Sequence, residues 1–295
     1  YKKEGCIWKS GDITAITLKN GTYFKIKLNA VKIKPYKFSL LEGEEQLFAV
    51  GTYHVGEDIP AGKYIFTGTD AADILYGCPN DEFSDGSYIK ESSIWKAGDQ
   101  TTIDLIDGTF FKITLNKVLI KHYDVVIPDE DDVKLAVGVY LIGTDIPAGK
   151  YKFVGTDAAD ILYNCFDDLF ADGTYEKESS IWSEGDCVVL GLNDGTYLKI
   201  SLNEVMTSKY AAPSVIESGT LLPVGIYLIG VDFPAGTYTM VGTGATDVYY
   251  DCPNEKFESE NYKEDGSIWS EGDTITITLK ENTYLKISMN SVKLQ

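Results

Sequence analysis

One spacing, 87 residues, constrains this chain more than any other feature. Trp8, Trp95, Trp182 and Trp269 stand 87 residues apart. The same step relates Gly11, Gly98, Gly185 and Gly272, each followed by an aspartate (Asp12, Asp99, Asp186, Asp273), and also Asn29, Asn116, Asn203 and Asn290. A fixed period without insertions marks a tandem array of one structural unit. The second half of the unit occurs four times, but the first half only three times, starting at Gly51, Gly138 and Gly225. The register therefore predicts an orphan C-terminal half module at 1–34, modules at 50–121, 137–208 and 224–295, and linkers at 35–49, 122–136 and 209–223. The linkers differ from one another in sequence and carry Pro35, Pro128 and Pro213, as semi-rigid spacers do.

Within a module the hydrophobic period is two. Residues 101–105 and 111–116 alternate, which places Ile103, Leu105, Phe111, Ile113 and Leu115 on a buried face. Between them lies Asp107-Gly108, matched by Asn20-Gly21 and Asp194-Gly195, a dipeptide that signals a β-hairpin. Pro60-Ala61-Gly62 reads as a tight turn, and 63–67 and 73–78 read as strands. No helical periodicity interrupts this. The expectation is an all-β chain of tandem small β-sandwich or jelly-roll-like modules, with six or seven strands each.

Charge narrows the partners. With 45 acidic against 26 basic residues the net charge is −19, which repels phosphate backbones and anionic lipid; nucleic acid is not an expected partner. No apolar run approaches the roughly 20 residues that span a bilayer, so direct membrane insertion is not expected of this segment. A chain opening at Tyr1 reads as a processed or trimmed piece. The two histidines, His54 and His122, do not recur; one period on stand Leu141 and Lys209. Nucleophile-elbow, P-loop, dinucleotide-binding and C-x-x-C motifs are all missing from the sequence. The chain therefore reads as non-enzymatic and without a cofactor.

Three residue classes pass the test of recurrence or near-recurrence. Cys78, Cys165 and Cys252 share one position, while Cys6 and Cys187 replace other residue types; free thiols and a disulfide such as Cys165 with Cys187 both remain open. Asp58, Asp145 and Asp232 recur, as do Asp73, Asp160 and Asp247, and they suit either turn capping or calcium ligation. Tyr76, Tyr163 and Tyr250 recur as candidates for glycan or partner contact, or as amphipathic core aromatics.

The string G-x-Y-x-[VI]-G-x-D-[IF]-P-A-G-x-Y, at 51–64, 138–151 and 225–238, resembles a module of secreted and lipoprotein-type proteins of Gram-positive bacteria. The resemblance implies an extracellular or cell-surface setting and supplies no activity or site. The functional expectation is a structural or adhesive repeat protein, with other copies of itself or a host or cell-wall ligand as partners. The alternative is a carbohydrate-binding array attached to a larger enzyme or surface protein. The orphan half, with an apolar face and no front half to cover it, either assembles head-to-tail with another chain or marks a cut from a longer array.

Overall fold

The computed structural model describes residues 7, 10, 12–16, 18, 20, 25–26, 30–34, 44–84, 86–88, 90–124, 127, 132–177, 181–213, 216–257, 261–264 and 267–295. The chain divides into two units, Tyr1–Asp124 and Val125–Gln295. The first holds the orphan half and module 1, and the second holds modules 2 and 3.

Module 1 is built from β1 (Gln46–Phe48), β2 (Gly51–His54), β3 (Gly62–Gly68), β4 (Ala72–Cys78), β5 (Lys90–Ile94), β6 (Gln100–Leu105), β7 (Phe110–Thr114) and β8 (Val118–His122). They form two four-stranded sheets in the orders β1-β8-β3-β6 and β2-β7-β4-β5. This is the strand order of a jelly roll, so the all-β sandwich expectation holds. Each strand turns alternate side chains inward. Phe48, Tyr53, Tyr64, Phe66 and Phe111 meet in one buried cluster with Ile74, Ile103, Ile113 and Ile120.

Module 2 repeats the plan with β9 (Val133–Leu135), β10 (Gly138–Leu141), β11 (Gly149–Gly155), β12 (Asp160–Cys165), β13 (Glu176–Lys177), β14 (Cys187–Leu192), β15 (Tyr197–Ser201) and β16 (Val205–Lys209). Module 3 does so with β17 (Leu221–Leu222), β18 (Val224–Leu228), β19 (Gly236–Gly242), β20 (Asp247–Cys252), β21 (Lys263–Glu264), β22 (Thr274–Leu279), β23 (Tyr284–Ser288) and β24 (Val292–Leu294). The eight strands per module exceed the six or seven expected, because the ends of the presumed linkers are strands. β1, β9 and β17 pair antiparallel with β8, β16 and β24.

Two local expectations fail. The segments around Asp107-Gly108 are not a hairpin: β6 and β7 belong to opposite sheets, and the turn crosses between them. Only the second turn residue is left-handed, at φ 74° for Gly108, 73° for Gly195 and 60° for Asn282, whereas a type I′ hairpin turn needs two such residues. The turn bonds instead to the β2 end, where Val55 donates to Thr109 O and Gly108 donates to Val55 O. Leu115 is the second case. It is 66% exposed, because the chain goes left-handed there (φ 64°), as it does at Leu202 and Met289. The alternation ends one residue earlier than the sequence suggests.

Candidate functional site

The motif shared by the three front halves resolves into loop chemistry. The Tyr53, Tyr140 and Tyr227 hydroxyls donate to carbonyls four residues back, Ala49, Ala136 and Pro223, at 2.7, 2.5 and 2.7 Å. Tyr64, Tyr151 and Tyr238 do the same to Pro60, Pro147 and Pro234. Asp58, Asp145 and Asp232 each accept the backbone N–H of the residue four positions earlier, His54, Leu141 and Leu228, at 2.7–2.8 Å. The recurring residues thus fix the loop between the second and third strands of each module.

One of these aspartates has a second task. Modules 2 and 3 join where β14 pairs parallel with β18, Val188 opposite Val224 and Val189 opposite Gly225. The pairing fuses one sheet from each module into a continuous eight-stranded sheet. Val189, 1% exposed, packs into the core of module 3. Gly225 must be glycine here, since a Cβ would lie 2.5 Å from Val189 O. Across the seam, Lys150 of β11 donates from Nζ to Ile226 O at 2.7 Å and to Asp232 Oδ2 at 2.5 Å. Its ammonium also lies over the Tyr227 and Tyr210 rings, 5.0 and 5.8 Å from their centroids. Burial pulls the Lys150 ammonium below the usual lysine value, and the Asp232 carboxylate pulls it back up.

The orphan half docks on module 1 by the same geometry. Thr14 forms a parallel bridge with Val50, and Ala15 donates to Val50 O at 2.8 Å. Thr14 and Val50 stand two periods before Val188 and Val224. Gly51 meets Ala15 O as Gly225 meets Val189 O.

A second recurring surface is the turn after the fifth strand. Ile94, Ile181 and Ile268 are 1–2% exposed, yet the next residues, Trp95, Trp182 and Trp269, are 77, 71 and 79% exposed. The turn is held rigidly: Asp99, Asp186 and Asp273 accept from the backbone N–H of Lys96, Ser183 and Ser270 at 3.0–3.1 Å. Gly98, Gly185 and Gly272 sit at φ 88–91°, which favours glycine, and donate to Gly68 O, Gly155 O and Gly242 O. Alternation is the signal that separates the indoles from the isoleucines, since an outward residue follows an inward isoleucine.

The remaining candidates are scattered. Asp73 accepts from Ser93 Oγ at 3.0 Å, while Asp160 and Asp247 are half-buried in β12 and β20. Among the described residues no three His, Cys, Asp or Glu side chains converge as a metal site requires. Tyr163 and Tyr250 are 3 and 5% exposed, and Tyr76, half-buried, packs against the core of module 1. Cys78, Cys165, Cys187 and Cys252 are buried free thiols. The Cys165–Cys187 bridge is not formed: Cys165 faces Thr174 in the loop before β13, and Cys187, in the other sheet, faces Ser291 of module 3. Cys6 lies outside the described residues.

Fold and junction together define a tandem jelly-roll array in which modules 2 and 3 interlock by strand pairing. The chain matches no protein-family model and no curated protein.

Proposed function

We propose that this chain is a non-enzymatic repeat protein, secreted or displayed on a cell surface, with a structural or adhesive role. The junction carries this reading. A flexible string of beads would need no strand pairing, half-buried Lys150–Asp232 ion pair or obligate glycine between modules 2 and 3, whereas a stiff spacer would. The motif at 51–64, 138–151 and 225–238 supports a place among Gram-positive secreted or lipoprotein-type proteins. Protease treatment of intact source cells tests the location: the chain should be shaved from the surface or recovered from the medium, and protection inside the cell would defeat the proposal.

Head-to-tail assembly through the orphan half forms part of the same proposal. Leu18 and Ile26 are 58 and 43% exposed, while their counterparts Leu105, Leu192, Ile113 and Ile200 are 0–3% exposed. Sedimentation should show concentration-dependent association that Leu18→Asp abolishes; a monomer at all concentrations would remove this element. A second reading, an array that binds carbohydrate for a larger enzyme or surface protein, is favoured by the three exposed tryptophans.

A further inference from the structure

We infer that the turns bearing Trp95, Trp182 and Trp269 are repeated contact sites, one per module, for an uncharged polysaccharide. This deepens the second reading above and rests on it.

Each turn presents an indole that is more than two-thirds exposed on a backbone held by the same hydrogen bonds in all three modules. Exposing three large rings costs solubility and contributes nothing to the cores, where the preceding isoleucines already do the packing. A second apolar side chain accompanies each ring. The fourth strand starts between the fifth and seventh, so Trp95 and Leu115 leave the same end of that sheet, as do Trp182 and Leu202, and Trp269 and Met289. Leu115, Leu202 and Met289 are 66, 62 and 48% exposed. In the loop between them modules 1 and 2 place an exposed aspartate, Asp70 or Asp157, where module 3 has Gly244.

An indole and an aliphatic group beside a carboxylate match the chemistry of a sugar ring. Its C–H face stacks on the indole, and its hydroxyls donate to the carboxylate. The net charge of −19 opposes polyanionic glycans, nucleic acid and anionic lipid. A protein partner would need a contiguous apolar core on a patch of about 800 Å² per side, and each turn offers one ring and one aliphatic group. A polymer of identical units suits identical contacts repeated every 87 residues, two of them locked in one frame by the β14–β18 pairing.

The test uses the full chain against cellulose, xylan, mannan, chitin and β-1,3-glucan, with heparin as the polyanion control, read by pull-down and by tryptophan emission. Saturable binding to at least one uncharged polymer is expected, with a blue-shifted emission. Each single change, Trp95→Ala, Trp182→Ala or Trp269→Ala, should weaken binding about tenfold, with Trp269→Ala the mildest because its module lacks the aspartate. The triple variant should lose about 10²-fold or more, as avidity collapses. Circular dichroism should be unchanged, and Trp95→Phe should retain part of the binding. The inference is overturned if no uncharged polymer binds, if heparin binds better, if the triple variant binds as well, or if sedimentation shows the indoles buried in a self-association that the triple variant abolishes. Polysaccharide binding that survives the triple variant removes the tryptophan sites and leaves the carbohydrate-binding reading standing, whereas no binding to any polymer removes both.

Discussion

The same pair of strands meets a neighbour in module 2 and solvent in module 3. In module 2 the outward residues of β11 and β14 include Lys150, Lys152, Cys187 and Val189, and all of β14 but Gly191 is buried. In module 3 the same positions hold Thr237, Thr239, Thr274 and Thr276, and the outward side of β22 is exposed. There Thr237 bonds Thr278 at 2.9 Å and Thr239 bonds Thr276 at 3.0 Å, a polar ladder in place of a seam. The inward residues do not change character: Leu190 and Leu192 are as buried as Ile277 and Leu279. Because side chains alternate along a strand, one set encodes the module and the other encodes its surroundings.

The comparison can be broken most forcefully at its centre. Val189→Asp puts a charge into the core of module 3 and should cost about 3 kcal/mol or more, with loss of hydrogen-exchange protection in β18. Thr276→Asp, the same change one period on, should stay within about 0.5 kcal/mol. Equal costs for the two would mean that the junction does not stabilise. Next in size is Asp232→Asn, which keeps an acceptor for Leu228 N–H but strips the counter-charge from Lys150, leaving it the Ile226 carbonyl. Thermal unfolding should register about 2 kcal/mol, against about 0.5 kcal/mol or less for Asp58→Asn.

A smaller difference is pH-dependent and lies at the bulge in the fourth strand. The left-handed residue there is Gly77, Asn164 or Asp251. Burial pushes the Asp251 carboxyl up, but Lys280 and Lys263, bonded at 2.6 and 3.1 Å, outweigh it and hold the group below 3.8. A depressed carboxylate stabilises above the unfolded value and loses that contribution as pH falls through the folded one. Module 3 should therefore lose under about 1 kcal/mol as pH drops below 3.8. Acid titration of Asp251→Asn, matching Asn164 of module 2, should show no such loss. The smallest effect should come from Thr239→Val, about 0.2–0.5 kcal/mol by denaturant unfolding, since it removes one rung of an exposed ladder.

Much of this was legible in the chain. The strand readings at 63–67, 73–78 and 101–105 match β3, β4 and β6 nearly to the residue, and the 87-residue register located the repeats. The Asp-Gly turns misled, because a turn dipeptide reports that the chain reverses and not which sheet receives the next strand. The strands β1, β9 and β17 were hidden in segments whose sequences diverge, since each needs only two or three residues to pair with its module's last strand. The exposed tryptophans sat one residue after the buried isoleucines, and only strict alternation told the two apart.

By itself the sequence determined the repeat, the all-β class and the absence of recurring histidine chemistry, because all of these are local or periodic. The tertiary structure decided which strands share a sheet, that Val189 and Lys150 belong to a seam, and that Thr237 and Thr276 face solvent. Those outcomes depend on partners as many as 104 residues apart, as Cys187 and Ser291 are. A period of two says that a side chain points away from its own core, and only the neighbouring module settles whether water or another protein surface meets it there.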